Sequence, residues 1–183
     1  MVEINPQYKS TIPAIRKVLD SQKEVACVAL QDFLTSASYE ELQQEIKALV
    51  FRNKSVPSEF SYEEAVLSAP LKKRLSGIVP FLDKVIGKKR IEWKLLRFSK
   101  NDYTILKDNS FSKGINIIID CSSDWKDAWG GMLVYMYEDK QQHVPPKVNT
   151  LTIVQKKLPA QWFMSFLNHY AKGKRVLIIG STK

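Results

Sequence analysis

The chain has 183 residues, of which 44% are hydrophobic, and this length and composition are typical of one folded domain. Lysine and arginine number 28 against 19 aspartate and glutamate residues, and the formal net charge of +9 predicts attraction to polyanions. No segment approaches the about 18–20 uninterrupted apolar residues of a membrane span. The first residues also lack the order of a signal peptide. We therefore expect a cytoplasmic protein without a membrane partner.

Helix and strand signals alternate at the start of the chain. Ile12–Leu19 places apolar residues on one face, which predicts a short helix. Val25–Leu30 is an apolar run of strand length. The motif from Ser38 to Glu41 has the spacing of a capping box, which predicts that a second helix begins near Ser38.

A polar region separates this part from a third helix. Residues 52–68 lack a regular period, so we predict a loop with a short helical turn near Tyr62–Val66. Pro70 suits the first turn of a helix, and Gly87 is a typical stop. The two cysteines, Cys27 and Cys121, are predicted to be buried and reduced.

Short strands separated by turn residues are predicted for the second half. Ile91–Phe98 and Tyr103–Lys107 flank Asn101 and Asp102, which predicts a hairpin. Segment Glu138–Lys147 contains a Pro-Pro pair and is predicted to be an exposed connection without regular pairing. The remaining predicted strands are Ile115–Ile119, Leu133–Tyr137, Thr150–Val154, Trp162–Leu167 and Arg175–Ile179.

This strand spacing predicts a mainly β fold with N-terminal helices: a double-stranded β-helix, or cupin-like jelly roll. We expect about eight core strands between Ile91 and Ile179, with the helices of the first ninety residues packed on one sheet. Gly130-Gly131 is interpreted as a corner between strands. Trp125 and Trp129 are interpreted as packing aromatics.

The framework of the second half resembles the Fe(II)/2-oxoglutarate-dependent oxygenases, specifically their prolyl 4-hydroxylase-like branch. The matching pieces are Tyr103, Ile115–Asp120, Trp125…Trp129-Gly130-Gly131-Met132-Leu133, Pro146…Asn149-Thr150-Leu151 and Arg175…Gly180. With its N-terminal segment included, the resemblance covers Val25 to Gly180. It implies a single oxygenase-like domain over residues 1–183, with helical support at 1–90 and a β-helix core at 91–180.

The iron ligands of that family are not matched. Where the family has His-x-Asp, this chain has Lys107-Asp108-Asn109, and the position of the last histidine falls on Met164 or Trp162. An ammonium group repels a cation and an amide is a weak ligand, so no metal site and no catalytic residue is predicted. A shifted register with Asp108 or Asp102 as the carboxylate ligand is the alternative. His143 and His169 are predicted to be exposed.

The resemblance also implies a cofactor site. In the family, an arginine at the position of Arg175 pairs with the distal carboxylate of 2-oxoglutarate. Tyr103, which matches the family's motif, and Lys107, at its first ligand position, are the other predicted cofactor-binding residues. The alternative for Arg175 is a solvated strand end. If Lys107 and Arg175 both point inward, either a small anion, such as a carboxylate metabolite or phosphate, occupies the barrel, or an internal aspartate neutralises them. The candidate aspartates are Asp102, Asp108 and Asp120.

Three functions follow from these observations. The first is a pseudoenzyme that retains the oxygenase fold and acts as a binding or interaction module, with no cofactor and with a protein or nucleic acid partner. The second is an active prolyl-hydroxylase-like dioxygenase with an atypical site, which would require Fe(II) and 2-oxoglutarate. The third is a nucleic-acid-binding domain that uses the basic surface.

Overall fold

The computed structural model describes residues 2–21, 23–104, 112–123 and 125–182. The helices are α1 (Gln7–Ser10), α2 (Ile12–Leu19), α3 (Ser36–Lys47) and α4 (Ala69–Ile86). The strands are β1 (Val25–Leu30), β2 (Phe51–Val56), β3 (Phe60–Ala65), β4 (Ile91–Phe98), β5 (Tyr103–Thr104), β6 (Ser112–Asp120), β7 (Leu133–Tyr137), β8 (Lys140–Val144), β9 (Thr150–Met164) and β10 (Arg175–Thr182). None of the described helices is long and apolar enough to cross a bilayer.

The strands form one antiparallel network built around β9. Its order is β2-β3-β4-β10-β6-β9-β7-β8, with β1 added to β9 and β5 added to β3. The first half of β9 lies between β1 and β6, whereas its last residues pair with β7. Because one strand of 15 residues joins both groups of strands, the sheet curves around an interior. This arrangement agrees with the predicted β-helix.

Side-chain alternation along the strands creates two apolar cores. One core joins the sheet to the helices and contains Leu42, Leu75 and Ile178. The other lies inside the curved sheet and contains Phe98 and Leu177. Since neighbouring residues of a strand point to opposite faces, Leu177 and Ile178 serve different cores. The helices of the first ninety residues therefore pack on one sheet, as expected.

The predicted limits of several elements agree with the structure. α2, β1 and β4 have the predicted bounds. α4 begins at Ala69, and Ser68 caps it by accepting a hydrogen bond from the Leu71 backbone N–H at 3.3 Å. Pro70 lies in the first turn of α4, and the helix ends at Gly87, whose φ of 74° suits glycine.

The predicted capping box is wrong. α3 begins at Ser36, close to the predicted start, but Ser38 is a buried residue inside the helix rather than its cap. Its hydroxyl accepts a hydrogen bond from the backbone N–H of Glu3 at 2.9 Å. A contact with the N-terminal segment, 35 residues away in sequence, therefore takes the group that local spacing assigned to the cap.

The predicted loop over residues 52–68 is a β-hairpin, β2–β3, and the predicted helical turn near Tyr62–Val66 is wrong. Tyr62 packs its ring 5.7 Å from that of Phe98, and Glu63 accepts a hydrogen bond from Arg97 Nε at 2.6 Å. These partners lie on β4, so pairing between distant segments stabilises a hairpin whose own sequence has no apolar period.

The predicted hairpin between β4 and Tyr103–Lys107 is also wrong. The turn exists, because the Asp102 N–H donates to the Ser99 carbonyl at 2.9 Å. Tyr103, however, pairs with Ser61 of β3. Both edges of β4 are already paired, with β3 and β10, so no edge is left for β5. Residues 105–107 lie outside the described part of the chain.

Two further predictions about strands are wrong. Glu138–Lys147 contains strand β8, which pairs with β7 through a tight turn at Glu138, and the Pro-Pro pair follows β8 rather than interrupting it. Thr150–Val154 and Trp162–Leu167 are not separate strands, because β9 runs without a break from Thr150 to Met164. Polar residues in the middle of β9 mask the strand in the sequence, whereas pairing with β1 and β6 continues through Lys156.

The predicted glycine corner is confirmed. Gly130 and Gly131 have φ values of 76° and 71°, and a Cβ at Gly130 would lie 2.4 Å from the carbonyl oxygen of Phe166. Trp125 and Trp129 pack edge to face with ring centroids 5.4 Å apart.

Both cysteines are free thiols: Cys121 is buried, and partial burial raises the pKa of Cys27 to about 11.

Asn149, just before β9, binds the segment that connects β1 to α3. Its side chain accepts from the Leu34 N–H at 3.1 Å and donates to the Leu34 carbonyl at 2.9 Å. Its own carbonyl accepts from the Phe33 N–H at 2.8 Å. With φ at 50°, Asn149 occupies a left-handed conformation that asparagine tolerates better than most residues. The residue therefore fixes the path of the chain between β1 and α3.

We expect Asn149→Ala to lower the free energy of unfolding by about 2–4 kcal/mol, because it removes two buried hydrogen bonds and places a Cβ-bearing residue without polar compensation in the left-handed region. Urea unfolding followed by circular dichroism would measure this. Asn149→Gly separates the two causes, since glycine accepts the backbone conformation but also lacks the bonds. The exposed control Asn53→Ala should change stability by less than about 0.5 kcal/mol. Equal effects at both positions would contradict the role of Asn149.

Candidate functional site

Arg175 lies inside the barrel. It is the first residue of β10 and points to the same side as Leu177 and Ile179. Its exposure is 0%, so the alternative of a solvated strand end does not apply. Its Nη2 lies 3.3 Å from Oδ2 of Asp120, and the two side chains are 1% and 5% exposed. A buried ion pair therefore occupies this end of the barrel.

Asp120 is held by the backbone around it. Oδ1 accepts from the Ser122 N–H at 3.0 Å, and Oδ2 accepts from the Lys147 N–H at 3.1 Å. Together with Arg175, three donors surround the carboxylate. Asp120 is thus one of the three aspartates considered from the sequence, and the structure pairs it with Arg175.

Met164 closes the other side of the guanidinium. It ends β9, and its Sδ lies 3.6 Å from Arg175 Nη1. Its backbone N–H donates to Thr104 Oγ1 at 2.7 Å, which connects β9 to β5. Trp162 is half-buried on the same face of β9 and packs on the interior core. Met164, one of the two residues predicted at the position of the last ligand, therefore lies beside Arg175.

Burial lowers the pKa of Arg175, and the neighbouring Asp120 opposes that shift. Arginine normally titrates so far above neutrality that the group stays charged. Its Nε is buried and has no hydrogen-bond partner among the described residues. The pair is therefore a charged contact in an apolar setting, and most of the stabilisation of the guanidinium depends on Asp120.

The other predicted site residues are placed differently. Tyr103 is half-buried on β5 opposite Ser61. Asp102 accepts from the Ser61 hydroxyl at 2.5 Å and from the Ser99 N–H at 2.7 Å, so its carboxylate stabilises the turn. Lys107, Asp108 and Asn109 lie outside the described residues. The convergence of Lys107 with Arg175 stays a prediction.

Sequence reasoning missed two further polar features of the interior. Asn116 donates to the Tyr135 hydroxyl at 3.0 Å, and both residues are buried. Lys156 is only 5% exposed, and burial lowers the pKa of its ammonium group. The period-two order of Asn116, Ile118 and Asp120 indicated one face of β6. The sequence pattern predicts two separate strands in place of β9, with Lys156 between them, and so it gives no indication that Lys156 is buried.

The histidines do not fit an iron centre of the family type. Each of the chain's two histidines is exposed, as predicted. His143 contacts Met132 Sδ and Gln141, and the His169 ring stacks 3.8 Å from that of Tyr170. In the described part of the chain, no three His, Cys, Asp or Glu side chains are grouped to hold a metal ion. A two-histidine, one-carboxylate centre therefore cannot be assembled around Arg175 from these side chains.

Comparison with known proteins identifies the fold. No protein-family model matches the chain, and no curated protein matches it in sequence. A prolyl hydroxylase from Trichoplax adhaerens, solved with a peptide of hypoxia-inducible factor, is 15% identical with a TM-score of 0.72, covering 96% of this chain and 91% of that one. A prolyl-4-hydroxylase from Pseudomonas putida is 11% identical with a TM-score of 0.66, over 92% and 98%.

A third solved structure extends the likeness beyond prolyl hydroxylases. An oxidoreductase of the 2OG-Fe(II) oxygenase family from Burkholderia pseudomallei is 9% identical with a TM-score of 0.65, covering 99% of this chain and 93% of that one. The chain thus has the jelly-roll fold of the 2-oxoglutarate/Fe(II) oxygenases, of the type found in prolyl hydroxylases. The predicted fold is confirmed over nearly the whole chain.

The ion pair makes an ordered prediction for stability. Asp120→Asn leaves a buried guanidinium without its carboxylate, and we expect a loss of about 3–5 kcal/mol in the free energy of unfolding. Arg175→Met should cost less, because Asp120 keeps its two backbone donors. The double variant should be more stable than Asp120→Asn alone, since no charge is then left unpaired. Urea unfolding measures all three.

The matched control is the exposed pair Lys140–Glu24, whose Nζ and Oε1 atoms are 3.1 Å apart. Glu24→Gln should leave the unfolding midpoint unchanged. If Asp120→Asn and the double variant were equally destabilised, the pair would not be the source of the effect.

Proposed function

We propose that the chain is a catalytically inactive protein of the 2-oxoglutarate/Fe(II) oxygenase fold that acts as a binding or interaction module. The observation that carries this proposal is the buried pair of Arg175 with Asp120, 3.3 Å apart. In the family that the sequence resembles, the corresponding arginine binds the carboxylate of 2-oxoglutarate. Here an internal carboxylate occupies that role.

An incoming oxo-acid would have to replace Asp120. Asp120 is covalently tied to the barrel and held by two backbone N–H groups, so it competes as an intramolecular ligand. Displacing it would leave a buried carboxylate without a cation, which costs several kcal/mol. The resident pair therefore disfavours 2-oxoglutarate in the barrel.

The position of the last ligand also disfavours iron. Met164 offers a thioether, a soft ligand, and a guanidinium lies 3.6 Å from its sulfur. Non-haem Fe(II) oxygenases instead use two imidazoles and a carboxylate. A cation beside the sulfur adds repulsion. The chemistry of the side chains around Arg175 thus supports a barrel that has lost its catalytic centre.

We expect no stoichiometric Fe(II) binding by calorimetry under anaerobic conditions, and no succinate released from 2-oxoglutarate. A known prolyl hydroxylase in the same assay provides the positive control. In addition, 2-oxoglutarate and succinate should not raise the melting temperature of the wild type at constant ionic strength. They should raise that of Asp120→Asn, because an external carboxylate can replace the missing one. The variant Asp120→Asn/Arg175→Met is the control and should not respond.

Iron-dependent release of succinate would contradict this proposal. It would favour the alternative of an active prolyl-hydroxylase-like dioxygenase with an atypical site, in which Fe(II) and 2-oxoglutarate are cofactors. A carboxylate-dependent stabilisation of the wild type that Arg175→Met abolishes would instead support a small anion in the barrel.

One surface supports a nucleic acid partner for such a module. After β9, Phe166 and Tyr170 are 54% and 67% exposed, although backbone bonds fix the segment between them. The Asn168 N–H donates to the Trp129 carbonyl at 3.1 Å, and the Tyr170 N–H donates to Asn168 Oδ1 at 3.0 Å. Exposed aromatic rings on a held segment, with Lys172 two residues further along the chain, are suited to the stacking of unpaired bases.

If this surface binds single-stranded nucleic acid, Tyr170→Ala should weaken binding by about 1–3 kcal/mol without changing its salt dependence. Lys172→Gln should reduce the slope of log K against log salt by about 0.7. Fluorescence anisotropy with a labelled oligonucleotide over a salt series measures both. Lys9→Gln, an exposed lysine of α1, is the control for general charge. An equal effect of Lys9→Gln would reduce the binding to non-specific attraction.

A further inference from the structure

A cavity lies behind the ion pair, on the opposite face of the same strands. Val176 follows Arg175 on β10, and Cys121 follows Asp120 at the end of β6, so their side chains point away from the barrel interior. Between them and α3 is a cavity of about 230 Å³. Its apolar wall includes Ile46, Phe51 and Val176.

Cationic side chains surround this apolar wall. Lys47 from the end of α3, Arg97 from β4 and Lys174 just before β10 all line the cavity. Glu63 lies beside two of them: it is bonded to Arg97, and its Oε2 is 4.0 Å from Lys174 Nζ. One carboxylate against three cations leaves this group of side chains with an excess of positive charge. The cavity therefore attracts an anion.

The arginine is held in place before any ligand arrives. Its guanidinium carbon lies 3.9 Å from the centre of the Phe51 ring. Glu63 fixes one edge of the guanidinium, with Nε to Oε2 at 2.6 Å and Nη2 to Oε1 at 2.8 Å. The same contact lowers the pKa of Glu63, so its carboxylate stays ionised near neutral pH. A cation fixed against an aromatic wall is a preorganised receptor for a planar anion.

Polar groups of α3 complete the cavity wall. Gln43 donates to the Cys121 carbonyl at 3.0 Å and to the Tyr39 hydroxyl at 2.8 Å, which fixes its amide at the cavity. The wall thus consists of a fixed arginine, two exposed lysines and a fixed amide around an apolar surface. Sites for small organic molecules combine these features: mostly apolar lining and a few placed polar groups.

We propose that this cavity binds a small organic monocarboxylate with a planar apolar body. A cavity of about 150 Å³ is enough to hold benzene, so a volume of about 230 Å³ accommodates a ring with a carboxylate. The ring packs against Phe51, Ile46 and Val176, and the carboxylate lies among Lys47, Lys174 and Arg97. The proposal does not require the barrel to be inactive, because Arg175 and Val176 face opposite sides of the sheet.

Benzoate is the probe, with benzyl alcohol as its uncharged analogue of similar shape. In ¹⁵N-edited NMR titrations of the full chain at constant ionic strength, we expect saturable shifts of the amides of Lys47, Cys121 and Val176 with benzoate. Benzyl alcohol should bind about tenfold more weakly or not at all, because it carries no negative charge to pair with the lysines and the arginine. Acetate should also be weaker, because it lacks the ring that the apolar wall covers.

Two variants test the position of the ligand. Lys47→Gln/Lys174→Gln should weaken benzoate binding about tenfold or more. Lys9→Gln/Lys100→Gln removes the same two charges from exposed lysines that do not line the cavity, so benzoate binding should be unchanged. Lys47 and Lys174 both lie at the surface. An unchanged NMR spectrum of the ligand-free Lys47→Gln/Lys174→Gln variant verifies that this variant folds.

Three results would overturn the proposal. These are an absence of saturable shifts, equal affinity for benzoate and benzyl alcohol, or an equal loss of affinity in Lys9→Gln/Lys100→Gln. The last would show a general attraction of anions to a basic protein. None of these results bears on iron binding or succinate release, so a failure here is distinct from a failure of the inactive-barrel proposal.

Discussion

A guanidinium buried in an apolar barrel requires a counter-charge, and in this protein the counter-charge is Asp120. The pair joins the ends of β6 and β10, which are neighbours in the sheet. Asp120 also accepts from Ser122 and Lys147, so the strand end and the connection before β9 are positioned by the same carboxylate. Loss of the aspartate would therefore disturb both the charge balance and the local path of the backbone. The barrel interior depends on this single contact.

The curvature of β9 decides what surrounds that contact. Its first half pairs with β1 and β6, and Met164 at its end pairs with Leu133 of β7. This path brings the Met164 sulfur against Arg175, although the residues come from different strands. The end of β9 thus contributes a thioether to the surroundings of the ion pair.

Alternation along two strand ends separates the molecule into two sites. Arg175 and Asp120 face the barrel, whereas Val176 and Cys121 face the cavity beneath α3. The ion pair and the proposed cavity therefore share a backbone, while their side chains lie on opposite faces of the sheet. The positive charge of the cavity beneath α3 comes from Arg97 and the two lysines that line it. The hydrogen bonds between Arg97 and Glu63 hold the guanidinium in a fixed geometry.

The sequence determined the features that depend on neighbouring residues. The bounds of α2, β1 and β4, the helix from Ser68 to Gly87 and the glycine corner at Gly130 follow from periodicity, caps and backbone freedom. The resemblance in motif order then gave the fold and placed Arg175 on its last core strand. It also assigned Lys107, Asn109 and Met164 or Trp162 to the positions of the iron ligands, which stays a prediction.

Only the tertiary structure decided the features that depend on distant partners. The β2–β3 hairpin forms because β4 supplies Arg97 and Phe98 as partners. Ser38 does not cap α3, because its hydroxyl accepts a hydrogen bond from the backbone N–H of Glu3. The sequence offered three aspartates for Arg175; Asp102 is used by its own turn, while strand register brings Asp120 to 3.3 Å. Local patterns fix the period of a segment, but they carry no information about which strand will lie beside it. The pairing of β6 with β10 selects Asp120 as the partner of Arg175, because the register sets which side chains of these two neighbouring strands lie side by side.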